Sequence, residues 1–284
     1  MKLKLLASIC LFLLAQLSLN AQEKGEKTSF TFKDTRIING QSVETNQDGQ
    51  LKFIISHRFG SINGGIDEFF GLDQATIRLG LDYGVWDWLT IGIGRSSFEK
   101  TVDGFLKARV LHQRENNGAP LSITILSSIA TQTADFPEQE RENYFSSRLF
   151  YTNQLMLSRK FSDRFSLQLM PTLVHRNLVE TADVENDVVS IGAATRFQLT
   201  KTISFQTEYY YTLPNQLAEE YYNSLSLGFD IETKGHVFQL NVSNSQGMIE
   251  KFFIGETRGQ WSEGDIYFGF NISRDFQLKG RKYK

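Results

Sequence analysis

The chain has 284 residues, with 22 glycines, 4 prolines, 13% aromatic side chains, a mean hydropathy of −0.28 and a formal net charge of −2. That charge argues against nucleic acid as a partner, which calls for a basic excess, and the single cysteine, Cys10, rules out a disulfide scaffold. After residue 21 no apolar run approaches the ~20 residues of a membrane-spanning helix, so a helical membrane protein is excluded.

The first element has the layout of a secretory leader: Lys2 and Lys4, an apolar stretch from Leu5 to Leu17, then Ser18-Leu19-Asn20-Ala21. Cleavage is expected after Ala21, which gives a leader over 1–21. Cys10 lies inside the apolar stretch, so the mature chain is expected to lack cysteine. Residues 22–48 are polar apart from the pair Ile37-Ile38 and read as a periplasmic arm.

From residue 49 the pattern changes to a period of two, the signature of strands, whose successive side chains point to opposite faces. Leu51-Phe53-Ile55 opens the series. The clearest segment follows, with Ala75, Ile77, Leu79, Leu81, Tyr83 and Val85 on one face and Thr76, Arg78, Gly80, Asp82 and Gly84 on the other. After Trp86-Asp87-Trp88 the alternation resumes at Leu89, Ile91 and Ile93, which makes a hairpin. Apolar parities then recur over Val102–Val110, Leu121–Ile129, Leu149–Leu157, Phe165–Leu173 (interrupted by Pro171), Val189–Phe197, Ile203–Tyr211, Leu225–Ile231, Phe238–Val242 and Ile266–Ile272. The sum is about twelve strands.

Short polar links near Trp86, Asn116, Ser162, Thr200 and Lys234 alternate with generally longer ones near Gly65, Glu138, Ala182, Leu217 and Gly255, the link near Glu99 being short. Outer-membrane barrels have this asymmetry of tight periplasmic turns and longer external loops. Strand segments of about 9 to 12 residues suit a tilted bilayer crossing better than the ordinary globular strand. Trp86, Trp88, Phe161, Phe165, Tyr209, Tyr211, Tyr221, Tyr222, Phe252, Phe253 and Trp261 gather near strand ends, as an interfacial aromatic girdle does. The expected fold is all-β: one antiparallel up-and-down transmembrane β-barrel over 49–276, with a polar tail at 277–284. Its expected place is the outer membrane of a Gram-negative cell, embedded in outer-membrane lipid. The last strand reaches Phe276, so an assembly signal there is internal.

Arg36-Ile37-Ile38-Asn39, Ser42-Val43-Glu44-Thr45, His57-Arg58-Phe59-Gly60, Phe69-Phe70-Gly71-Leu72-Asp73 and Gly80-Leu81-Asp82-Tyr83-Gly84 occur in order. With them the chain resembles the β-barrel family labelled domain of unknown function 5777. The resemblance is most specific over residues 36–113; it implies a barrel and no activity.

On the polar parity, Arg58, Arg78, Asp82, Asp103, Lys107, Arg109, Arg148, Arg196 and Glu208 are expected to line the lumen. Such groups either pair across the interior or line a path for a small anionic solute. Twelve strands lie between barrels filled by side chains and those leaving a channel, so the bore decides nothing. In the loop from Ser61 to Gln74, Ile66, Phe69, Phe70 and Leu72 form an apolar edge, expected either as a constriction in the mouth or as a rest on the outer leaflet.

His57, His112, His175 and His236 fall on separate strands without metal spacing, and no serine elbow, phosphate loop or zinc signature occurs. No catalytic residue, metal or cofactor is assigned. Three functions stay open: a narrow pore or a structural barrel that binds a periplasmic or surface protein; a rim-active lipid hydrolase using Ser56 or Ser96 beside His57; and a soluble periplasmic ligand-binding β-sandwich.

Overall fold

A computed structural model describes residues 25–279, except 117, 137–141, 180, 182 and 183. The leader at 1–21 and the end of the polar tail lie outside the described residues.

Twelve antiparallel strands form one closed barrel: β1 (Gln50–Ser61), β2 (Ala75–Trp86), β3 (Leu89–Ser96), β4 (Thr101–Leu111), β5 (Ser122–Gln132), β6 (Leu149–Lys160), β7 (Phe165–Arg176), β8 (Asp187–Gln198), β9 (Ile203–Thr212), β10 (Leu225–Thr233), β11 (His236–Ser243) and β12 (Tyr267–Gln277). Each pairs with its neighbours in sequence. β1 then closes on β12, with Leu51 opposite Phe276 and Ile55 opposite Ile272. Closure leaves no free sheet edge, and it removes the two-sheet sandwich from consideration.

Alternation sets the two faces. In β2, Arg78 and Asp82 point inward and are buried, while Ile77, Leu79 and Leu81 point outward at 38–44% exposure with no protein layer over them. The same holds for Ile91 and Ile93 on β3, Ile191 on β8 and Leu240 on β11. An apolar belt around a closed barrel is the surface that a bilayer covers. Pro171 sits on the outward parity of β7. It removes one ladder donor, and the β6–β7 pairing passes from Gln154–Thr172 to Leu157–Leu169 across it without a change of register.

Tight connections lie at the end that carries Trp86, Phe161 and Gly235, and the longer ones at the other, as expected from link lengths. The loop between β1 and β2 forms 3-10 turns over Ile62–Gly71 and rests against β1 and β12. Its Ile66, Phe69, Phe70 and Leu72 are 42–82% exposed. The long loop between β11 and β12 instead carries a short helix, α1 (Glu250–Gly255), whose residues are all buried.

Candidate functional site: the plugged lumen

The described part of the arm does not stay in the periplasm. It enters at the tight-turn end, where Thr28 N–H donates to the Gln113 carbonyl (3.0 Å), rises through the lumen, and returns to Gly49 at the foot of β1. Between these points it is a β-hairpin: Arg36 bridges Gln41, Ser42 N–H donates to the Thr35 carbonyl (3.0 Å), and Ile37 N–H donates to the Gly40 carbonyl (2.9 Å). Two chains inside a barrel carry peptide groups that must find partners away from water. Here the wall side chains supply them.

At the hairpin tip the Glu208 carboxylate accepts from the N–H groups of Ile38 (3.2 Å), Asn39 (3.3 Å) and Gly40 (3.0 Å). Gln239 and Asn271 donate to the carbonyls of Ile37 (2.5 Å) and Ile38 (2.8 Å). Gln168 accepts from Val43 N–H (2.7 Å) and donates to the Gln41 carbonyl (2.8 Å), while Thr124 donates to the Val43 carbonyl (2.8 Å). Gly40 is required by closeness: a β-carbon there would stand 2.3 Å from the Tyr210 hydroxyl.

Of the nine expected lumen charges, eight face inward and most engage the hairpin. Arg58, fully buried, donates to Asn39 Oδ1 (2.7 Å). Lys107 donates to the Thr35 carbonyl (3.1 Å) and to Gln41 Oε1 (2.9 Å), and Arg109 pairs with Glu44 (3.0 Å). Arg78 and Asp103 pair with each other through two hydrogen bonds (2.9 and 2.5 Å). Asp82 lies 3.7 Å from Arg36, and Arg196 is buried in the wall. Arg148 is the exception: it lies on the external loop before β6, donates to the carbonyls of Gln132 and Ala134, and stacks on Phe136.

The hairpin contributes charges of its own. Lys52 on β1 binds Asp34 (2.9 Å) and Asp275 (2.7 Å), and Lys33 binds Glu232 (2.7 Å). Burial tends to raise the Asp34 carboxyl, but Lys52 and the hydrogen bonds from Ser273 and Thr35 outweigh it and hold it below the usual aspartate value.

From the other end the β11–β12 loop descends. Phe253 and Ile254 of α1 join Tyr210, Met156, Met170, Val174 and Val188 in one apolar cluster that also takes in Ile37 and Ile38 of the hairpin. Phe252 packs edge-on to Phe98 (4.8 Å), and Phe253 lies 5.0 Å from the Tyr210 ring. Thus Phe252 and Phe253, expected in the interfacial girdle, are lumen side chains. Lys251 anchors the same turn, held by Glu256 (2.6 Å) and Glu99 (3.2 Å) above the rings of Phe252 and Phe150. One interior cavity where hairpin, wall and α1 meet and another between hairpin and wall measure only about 10 Å³ each.

Ser56 and Ser96 face inward, whereas His57 faces outward and stacks on Phe270 (4.8 Å). The serine–histidine pairing considered for a hydrolase is not formed. Sequence reasoning missed the hairpin and α1; Ile37-Ile38 and Phe252-Phe253-Ile254 were the signals, apolar runs inside otherwise polar segments.

Among solved structures, the barrel is similar in fold to the NanC porin (TM-score 0.50, 9% identity, covering 80% of this chain and all of that one). It also matches the KdgM porin (0.49, 10%, 79% and 99%) and an outer-membrane channel from Pseudomonas putida F1 (0.44, 12%, 82% and 98%). At these identities the likeness is one of fold. No curated protein matches the chain. A family model described as a membrane bound beta barrel domain matches residues 32–276, from the hairpin to the last strand. The chain is a member of that membrane-bound β-barrel family, DUF5777.

Proposed function

We propose that the protein is an exported, non-enzymatic outer-membrane barrel that passes a small polar solute and is closed at rest by its N-terminal hairpin. The observation that carries this reading is the chemistry of the hairpin's seat. Its backbone is held by Glu208, Gln239, Asn271, Gln168 and Thr124, side chains that water can satisfy equally well when the hairpin leaves. A hydrogen bond exchanged for one to water costs little, whereas apolar surface returned to water costs about 25 cal/mol per Å². Phe32, Ile37 and Ile38 of the hairpin share the apolar cluster of Phe253 and Ile254 and favour the seated state at rest, while the hairpin, attached to the wall by single side chains and not as a strand of the closed sheet, is the part that moves.

Conductance in planar bilayers tests this. The full chain should be silent, and a variant lacking residues 28–46 should give discrete steps. An Asn39→Cys/Ser226→Cys pair, placed where the two side chains already bond at 3.0 Å, should lock any spontaneous opening and release it on reduction. If the shortened variant folds, as shown by its heat-modifiable mobility, yet never conducts, the transport reading fails and a partner-binding barrel takes its place.

A further inference from the structure

We infer that the periplasmic mouth holds a binding site for a phosphate-bearing anion, built jointly by the hairpin and the barrel wall. A cavity of about 830 Å³ opens there, remote from the hairpin tip. Lys27 and Phe30 border it from the hairpin, Trp88 and Asp87 from the β2–β3 turn, and Arg109, His112 and Arg114 from the end of β4.

Three permanent cations thus face one carboxylate across this space. Arg109 spends one guanidinium nitrogen on Glu44 (3.0 Å) and Arg114 one on the Gly25 carbonyl (2.7 Å). The Nε–H of each is buried without a partner among the described residues. Asp87 is already committed, accepting from Asp48 N–H (2.9 Å). Glu115 and Glu26 belong to the same corner through a backbone bond, but neither borders the cavity. A guanidinium carries five N–H donors, and an anion with several oxygens satisfies those that different elements bring to one cavity.

The surroundings narrow the ligand. Trp88 stacks on Trp86 (5.2 Å) and both rings are half exposed on the outer face of the barrel, where an interfacial aromatic pair sits at headgroup level. Phe30 adds an exposed ring at 58%. A phosphate beside apolar surface at this depth fits either a phospholipid headgroup of the inner leaflet or a free periplasmic phosphate. Since one side of the cavity is hairpin and the other is wall, a bound phosphate bridges the two. The site itself does not depend on whether the hairpin gates a pore.

The test uses the full mature chain. In maltoside micelles, inorganic phosphate is titrated while tryptophan emission is followed. In parallel, vesicles of phosphatidylcholine with and without phosphatidylglycerol are compared by mass spectrometry of the lipid retained on extraction. The comparison variant is Lys27→Gln/Arg114→Gln, with Lys27→Arg/Arg114→Lys as the charge-conserving control and a heat-modifiability gel to confirm folding. Saturable binding of phosphate, weakened about tenfold or more in the Gln pair and retained in the control, establishes a free-phosphate site. Retention of phosphatidylglycerol without a response to phosphate, with the same dependence on the variants, establishes a headgroup site. If both ligands bind the folded Gln pair as they bind the native chain, or neither binds at all, the inference is overturned.

Discussion

At the residue scale, the seat of the hairpin tip rests on a carboxylate that binds no cation directly. Glu208 is buried and takes three peptide N–H groups from the turn Ile38-Asn39-Gly40, the arrangement of an anion in a backbone nest. Glu208→Gln keeps the shape but turns an amide NH₂ toward donors, leaving at least one buried N–H unpaired at about 1–3 kcal/mol. Deuterium exchange at residues 36–42 should then rise on the order of tenfold or more, with the ladder between β6 and β7 unchanged. Unchanged protection at the tip would show that Glu208 is not what holds it. Gly40→Ala should loosen the same turn for a different reason, because its methyl meets the Tyr210 hydroxyl, and that ring is confined by Met170 and Phe253. The measurement is cleavage of the arm by an added protease, expected faster in the variant.

At the element scale, the external loop should respond to pH. Burial raises the Glu250 carboxyl above the ordinary 4.5; Arg36 on the hairpin and Arg78 on β2 oppose that shift, and Asp103 on β4 adds to it. Burial likewise raises Glu256, against Lys251 and Arg176, with Glu99 adding. An acid whose affinity for protons is higher in the seated loop stabilises seating below the ordinary value, and that contribution is lost as pH rises through the raised one. Protection of residues 249–257 against deuterium exchange, corrected for intrinsic rate, should be lower at a pH well above the ordinary glutamate value than at one near it. Glu250→Gln should flatten the dependence; equal protection at both pH values would remove Glu250 from the account. The two inserts also show how far a sequence reading reaches. A strand face repeats every second residue, so the wall was legible from local order alone, although the buried inward charges Lys52, Arg176 and Asp230 were not among the residues singled out. The hairpin's partners are single side chains such as Thr124, Gln168, Glu208, Gln239 and Asn271, spread over separate strands and up to 233 residues away. Nothing local records such a seat, and the apolar pair Ile37-Ile38 reads equally as an exposed patch until a barrel is built around it.

At the scale of the whole molecule, the lumen has enough polar and apolar contact to be filled, while the middle of the outer face is left exposed by the described residues. Leu81 is at the centre of that face, 44% exposed, with Phe53 and Ile93 beside it on the neighbouring strands. If lipid supplies the missing contact, a charge there is penalised by depth. Leu81→Arg should cost about 2–4 kcal/mol when folding is followed in vesicles, whereas Trp86→Arg at the periplasmic rim should lose only about 0–1 kcal/mol through charge, plus the stacking on Trp88. A detergent-free aqueous surface would order the two the other way, since an arginine at a solvated mid-strand position costs almost nothing while the loss of a stacked indole does not depend on lipid. Equilibrium unfolding of both variants in vesicles, read from the intensity of the slow and fast bands of unboiled samples, separates these cases. Because the apolar belt runs around all twelve strands, the same depth rule should hold for Ile191 on β8 as for Leu81 on β2, six strands apart around the closed barrel and both near mid-strand. Agreement between those two positions is what a bilayer imposes and a local partner patch does not.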